Sequence, residues 1–285
     1  MSAKFGPAGN SDAFSAVHKS SLAAPQWIAE QGLDCYEYQC GKGVHVGEDT
    51  ARRVGENARK HGISLSLHAP YFINLANPDP DSLQKTIGYI TSACLVASQM
   101  GASRVVIHSG ALMKRTRREA LDTALRSLRE VIRTCDGQGF GHIALCPETM
   151  GKINQLGDLE EVLELCTLDE RLIPCIDFGH LYARSLGADD GAEAFGRMLD
   201  RVESVLGQSR ASVFHSHFSH IQFTPGGGEK CHRTFDDDDG YGPDWAPLAR
   251  AIARRGWSPT FICESAGTQA EDAQAMKRMY EEAAK

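Results

Sequence analysis

The sequence predicts an α/β fold, a closed (β/α)8 TIM barrel that takes in residues 1–285 as a single domain. Two observations carry that reading. Short apolar runs alternate with longer stretches of helical periodicity eight times in order, and no composition break marks a linker. Such alternation implies parallel strands with helices packed outside them. Six of the apolar runs also end in His, Asp or Glu. An apolar strand gains nothing from a terminal carboxylate unless that residue faces something beyond the strand end, which is where a barrel keeps its active site. A doubly wound open sheet needs no ligand-type residues from so many strands.

Taken in order, Ala3–Phe5 reads as the first strand and Gly6–Asn10 as the turn after it. Residues 12–31 read as a helix broken at Pro25. Asp34–Gln39 alternates as strand two, and Glu48–His61 is a helix with Ala51, Val54 and Ala58 on one face. Ile63–His68 is strand three. Ala69–Ser82, with three prolines and two asparagines, is an irregular surface loop. Leu83–Met100 repeats Leu83, Ile87, Ile90, Cys94 and Ala97 at helical spacing, and Gly101 stops it. Arg104–His108 is strand four and Arg117–Cys135 a helix. His142–Cys146 runs into Glu148 as strand five, and Leu159–Cys166 is a helix. Leu172–Ile176 is strand six and ends in Asp177, with His180 three residues on. Phe195–Leu206 is helical, and Ala211–His217 is strand seven. His220–Asp244 reads as a long loop, a length that in a compact domain marks function or disorder. Trp245–Arg255 is a helix, Pro259–Cys263 strand eight, and Ala270–Ala284 the last helix.

The bulk composition excludes several classes. A 42% hydrophobic content is ordinary for a globular core. There is no apolar run of about 18 residues, so no membrane span is expected. Met1–Asn10 lacks the apolar segment of a signal peptide. The nine cysteines are scattered, with no C-x-x-C pair, which fits reduced thiols in a cytoplasmic protein rather than a disulfide framework or a zinc ribbon. The net charge of −7 does not announce a nucleic-acid binder. Nor does it exclude one, since bound cations offset ligand carboxylates. A monomer is the default expectation.

The strand-end set holds four or five His, two Glu and one Asp. Imidazole with carboxylate suits zinc, manganese or iron. Seven or more donors exceed what one ion takes, so two or three ions are the economical reading, an arrangement suited to phosphoester chemistry. A lone rim histidine is more often a hydrogen-bonded core residue, and the case for His68 or His108 rests on the whole set. His18, His45, His61 and His142 lie on helices or at strand starts, away from it. Alternation puts His215 and His217 on one strand face, and at most two of His215, His217 and His220 ligate. Asp236–Asp239 reads as a solvated loop. Lys114–Arg118 reads as a solvated helix start, or as a phosphate-neutralising patch on the barrel's top face.

At these residues the sequence resembles the endonuclease IV family, the metal-dependent apurinic/apyrimidinic endonucleases of the xylose-isomerase-like barrels. The matching segments are Leu67-His-Ala-Pro-Tyr71-Phe-Ile-Asn-Leu75, Val106-Ile-His108-Ser-Gly, Pro147-Glu148-Thr, Cys175-Ile-Asp177-Phe-Gly-His180, His217-Phe-Ser, Gly228-Glu-Lys-Cys-His232 and Cys263-Glu264-Ser. They keep the family's order nearly end to end. The resemblance implies a first zinc on His68, His108 and Glu148, and a second on Glu148, Asp177, His217 and Glu264. A third falls to His180 and His232. Two or three Zn2+ ions are expected, with Mn2+ or Fe able to fill some sites. The family's third site also has an Asp two residues before its last His. Lys230 stands there, and an ammonium opposes a cation; Glu229, one residue off, takes the place only if the loop shifts. The implied reaction is hydrolysis of the phosphodiester 5′ to an abasic site in double-stranded DNA, the cut of base excision repair. Glu148 and Glu264 are the catalytic carboxylates, orienting and deprotonating the attacking water. Tyr71 and Asn74 are the expected DNA contacts, although Tyr71 packing its own loop is an equal alternative.

Two competing readings remain. Glu148, Asp177, His217 and Glu264 are also what a one-metal sugar isomerase or epimerase of this superfamily shows. Lys230 and the acidic net charge favour that reading; His68, His108, His180 and His232 exceed its needs. A non-catalytic DNA-binding relative is the other.

Overall fold

Ten strands and eleven α-helices follow one another in a computed structural model that describes residues 2–285. The strands are β1 (Lys4–Pro7), β2 (Cys35–Gln39), β3 (Ser64–His68), β4 (Arg104–His108), β5 (Ala144–Glu148), β6 (Cys175–Asp177), β7 (His215–Phe218), β8 (His220–Thr224), β9 (Gly228–Arg233) and β10 (Thr260–Cys263). Eight of them form one parallel sheet in the order β1-β10-β7-β6-β5-β4-β3-β2. The barrel closes between β1 and β2, where the Asp34 N–H donates to the Phe5 carbonyl (2.8 Å) and the Gly9 N–H to the Glu37 carbonyl (2.9 Å). Gly6 makes that seam possible, because a Cβ there would lie 1.8 Å from the Cys35 carbonyl oxygen. No described helix is long and apolar enough to cross a membrane.

The helices are α1 (Asp12–Val17), α2 (Ala24–Glu30), α3 (Glu48–His61), α4 (Pro80–Met100), α5 (Arg117–Gly137), α6 (Leu159–Cys166), α7 (Phe178–Arg184), α8 (Gly191–Leu206), α9 (Gln208–Ala211), α10 (Trp245–Arg255) and α11 (Gln269–Ala283). Local chemistry sets their ends. Thr116 with Glu119, and Asp158 with Glu161, form reciprocal capping boxes at α5 and α6. Gly62, Gly101 and Gly256 close α3, α4 and α10 in the left-handed conformation.

The strand period of two sorts the barrel residues. Outward-facing Phe5, Phe218 and Phe261 pack with Trp245, and Phe214 with Phe261 and Trp257, in the layer between sheet and helices, where the main core lies. Facing inward are small apolar clusters, Ala8, Cys35 and Ile262 on one side and Val106, Cys146 and Cys175 on the other. Those small side chains leave the barrel's upper interior to polar groups.

The structure departs from the sequence reading in several places. Residues 12–31 form α1, a short 3-10 turn and α2; Pro25 opens α2 instead of interrupting a helix, since its missing N–H has no intrahelical partner there. Strand six starts at Cys175, because Pro174 has no N–H to pair. Ala211 belongs to α9, so β7 starts at His215. The His220–Asp244 segment holds the antiparallel hairpin β8–β9, and α7 follows β6 directly.

Candidate metal centre

Parallel pairing sets the candidate ligands side by side at one end of the barrel. His108 is in register with Glu148, and Asp177 with His217. Glu148 is buried at the middle of the group. Its Oε2 lies 3.3 Å from His68 Nε2 and 3.2 Å from His108 Nε2, and its Oε1 lies 3.1 Å from His217 Nδ1. One carboxylate thus faces two sets of imidazoles. Glu148, Asp177, His217 and Glu264 bring one ligand atom each within 4.8 Å of one another, as do His68, Glu148 and His217. Glu264 stands at the rim, 3.5 Å from His217 Nδ1, and keeps some solvent contact.

Each histidine is anchored through one ring nitrogen. His68 Nδ1–H donates to the Ala69 carbonyl (2.7 Å), His108 Nδ1–H to the Tyr71 carbonyl (3.0 Å) and His180 Nδ1–H to the Thr149 carbonyl (2.9 Å). His217 Nε2–H donates to Glu37 (2.9 Å), and His232 Nδ1 shares a hydrogen bond with Ser219 (2.8 Å). These bonds fix tautomer and ring plane as outer contacts of ligating histidines do, and leave the other nitrogen facing inward.

Asp177 caps α7, its Oδ1 accepting the His180 N–H (2.8 Å), which places His180 on the first helical turn beside it. Its fully buried Oδ2 accepts no hydrogen bond, although His180 Nδ1, whose proton goes to the Thr149 carbonyl, lies 3.1 Å away. Burial raises the Asp177 carboxyl above its ordinary range, although His180 draws it down. Burial works against the Glu148 charge too, but His217 and the hydrogen bonds from His108, His180 and His217 hold that carboxyl well below its usual range. Buried charges of this density are costly unless cations offset them. The Asp177 oxygen without a hydrogen bond, the second ring nitrogens turned inward onto carboxylates and the mixed imidazole–carboxylate donors fit divalent metal ions.

A third donor group corrects the reading of the long loop. His180, Glu229 and His232 also converge within 4.8 Å. Ordinary strand alternation would put Glu229 and His232 on opposite faces. The β8–β9 register instead shifts, with Gln222 opposite Cys231 and Phe223 opposite Glu229, so Lys230 is an extra residue held in a bulge. Beyond the bulge Glu229 is back in phase with His232, 3.5 Å from His180 Nε2. Lys230 is exposed and opposes nothing. The hairpin is docked on the loop after β5 by Glu229 N–H to the Gly151 carbonyl (3.1 Å) and Ile153 N–H to the Gly227 carbonyl (3.2 Å). Gly151 permits that approach, since a Cβ there would lie 2.6 Å from Glu229 Cβ and 3.0 Å from His180 Cδ2.

The remaining candidates fall elsewhere. Tyr71 holds its ring out at 58% exposure, edge-on to Phe72, while its carbonyl anchors His108. Asn74 Oδ1 accepts the Ala76 and Ala111 N–H groups (3.1 Å each), bracing the loop after β3 against that after β4. His220 stacks on Phe235 outside the group. His215 points inward a layer below, bonded to Glu37 at 2.8 Å, and burial pushes its pKa down to about 4 despite that partner. Glu37 lies in mid-strand, outside the strand-end pattern; its signal in the sequence is a charged residue on the inward side of Cys35-Tyr-Glu-Tyr-Gln39.

The model of the xylose isomerase-like TIM barrel family matches residues 25–283. An uncharacterized protein of Methanocaldococcus jannaschii is 30% identical over 238 residues, 84% of each chain. A probable endonuclease 4 of Thermotoga maritima is 25% identical over 250 residues, 82% of this chain and 81% of that one. With the probable endonuclease 4 of Acholeplasma laidlawii the identity is 27% over 165 residues, and this chain spans about half (54%) of that relative's length. Among solved structures, a D-tagatose 3-epimerase-like protein superposes with a TM-score of 0.73 at 20% identity, over 99% of this chain and 98% of that one. Endonuclease IV of Thermus thermophilus does so with 0.68 at 17%, over 98% and 99%. At such identities the superpositions show a shared fold, which does not select a reaction.

Proposed function

The chain belongs to the xylose isomerase-like TIM barrel family, and from that premise we propose that it is a metal-dependent apurinic/apyrimidinic endonuclease, cutting DNA 5′ to an abasic site. The observation that supports this most is the number of connected donor groups. A one-metal isomerase or epimerase needs Glu148, Asp177, His217 and Glu264; it has no use for His68 and His108 on the other oxygen of Glu148, or for His180, Glu229 and His232 beside Asp177. Two or three divalent cations there would acidify a water and neutralise phosphate charge.

The protein's own residues divide the remaining work. Glu148 has both oxygens among imidazoles, so it holds and orients. Glu264, at the solvent rim, is placed to take the proton from the attacking water. The Tyr71 ring, with Phe72 and Tyr89 next to it in an edge-to-face series, offers an exposed apolar surface beside the opening for DNA. An abasic nucleotide reaches a recessed site at reduced cost, because no base has to be unstacked.

The test pairs elemental analysis of the purified protein with nicking of a duplex carrying one abasic analogue. Two or three ions per chain and a nick 5′ to the lesion are expected. One ion, no nick and turnover of a keto-sugar would replace this reading with the epimerase. In the same assay Glu264→Gln should lower cleavage at least about 100-fold, the usual scale of a lost general base, while abasic-DNA binding persists. Cleavage at the wild-type rate would remove Glu264 from the mechanism.

A further inference from the structure

Directly below the donor groups lies a carboxylate that neither the strand-end pattern nor the ligand sets include. Glu37 is fully buried in mid-β2. Its Oε1 accepts His217 Nε2–H (2.9 Å) and Gln39 Nε2–H (3.2 Å), and its Oε2 accepts His215 Nε2–H (2.8 Å) and the Ser66 hydroxyl (2.8 Å). Behind His215, Arg104 from β4 reaches its Nδ1 at 3.4 Å and is itself tied to the Val213 carbonyl (2.8 Å). Arginine only donates, so His215 Nδ1 must be the bare nitrogen and Nε2 the protonated one. That proton goes to Glu37, whose remaining oxygen takes the Nε2–H of His217. The chain Arg104–His215–Glu37–His217 therefore holds the Nε2–H of His217 on Glu37 and leaves Nδ1, 3.1 Å from Glu148 and 3.5 Å from Glu264, as the nitrogen that can give up its proton to a cation.

We propose that Glu37 is a positioning residue of the metal centre, fixing the tautomer and ring plane of His217 so that Nδ1 is presented as a ligand. The inference rests on the metal-dependent reading above. Glu37 acts through His217 and contacts neither ion nor substrate. Ser66 and His215, donating to the second oxygen, keep the carboxylate from rotating away. Such an outer carboxylate raises the basicity of the imidazole and removes the freedom it would otherwise lose on binding. The competing view, that the network only knits β2, β3, β4 and β7 together, predicts a change in folding stability and none in metal binding.

The experiment measures zinc affinity by chelator competition in the wild type and in Glu37→Gln, with circular dichroism to verify the fold. Long-range 1H–15N spectra of the zinc-free proteins at alkaline pH report the histidine tautomers. Glutamine keeps the shape but sets an amide N–H2 against one histidine donor. The expected result is a loss of about 10- to 100-fold in affinity at the His217 site, with the His217 tautomer no longer uniform. Wild-type affinity and tautomer in Glu37→Gln, even with a lowered melting temperature, would overturn the proposal. Should that variant fail to fold, Ser66→Ala removes one hydrogen bond to Glu37 and is expected to lower affinity about five-fold; unchanged affinity there counts against the proposal equally. A wild type that binds no metal would sink the metal-dependent reading itself, whereas metal in the wild type and equal affinity in the variants sinks this inference alone.

Discussion

At the scale of single residues, Glu229 and Lys230 show how little separates a candidate ligand from a bystander. They are neighbours in sequence, yet Glu229 faces His180 and His232 while the Lys230 ammonium stands in solvent. Exposed charges of this kind contribute little. Lys230→Asp should therefore leave metal content unchanged and activity within about two-fold, while Glu229→Gln should remove about one ion per chain, one of the three or four donors an ion takes being lost. Elemental analysis of both variants decides it. The reverse pattern would mean that Lys230, not Glu229, faces the third site in solution. Glu37 teaches a related lesson: its buried charge is held well below the ordinary carboxyl range, where burial resists and His217 and His215 overcome it.

At the scale of elements, the β8–β9 hairpin supplies two of the three donors of one group, Glu229 and His232, and brings them to His180 on α7. The bulge absorbs Lys230 and restores the two-residue period, so that Glu-x-x-His behaves as Glu-x-His would in a regular strand. Deleting Lys230 should therefore preserve the third donor group. Metal content and melting temperature near those of the wild type are the expected outcome. Loss of one ion on deletion would show that the bulge does more than take up a residue. The docking of the hairpin on Gly151 explains why Glu229 arrives beside His180 from a segment 49 residues later in the chain.

At the scale of the whole molecule, the barrel concentrates four carboxylates and five imidazoles at one end, and stability must depend on what occupies that end. When protons rather than cations do so, His68 illustrates the consequence. Burial opposes its protonation, but the hydrogen bond and charge of Glu148 raise its pKa from 6.5 to about 9. A raised folded-state value means that the proton stabilises the fold. That contribution is complete below about pH 6.5 and is lost as pH rises through about 9. Chelator-treated protein should thus show a falling melting temperature across that interval. Metal-loaded protein should not, because its ligands are already deprotonated, and it should instead lose stability toward acid as protons displace metal. Thermal melts over pH with and without chelator test this. A chelated sample whose melting temperature is flat across that interval would contradict it.

Periodicity alone was enough to read the barrel and most of the candidate ligands from the chain. An inward-facing residue at a strand's C-terminal end can be read from the strand alone, which is how His68, His108, Glu148, Asp177, His217 and Glu264 were found. His180 followed from its spacing to Asp177, although the helix that presents it did not. Matching motifs in order then located His232. The rest depends on contacts between segments far apart in the chain. Register across β5, β4, β6 and β7 sets Glu148 between two groups of imidazoles, and no single strand carries that information. The bulge that turns Glu229 inward depends on pairing between β8 and β9 and on docking against Gly151. The association of Glu37 with His215 and His217 joins residues 178 and 180 positions apart, which meet because the barrel closes. Local patterns specify which residues face inward; closure and pairing specify which of them meet, because those contacts form between segments distant in the chain.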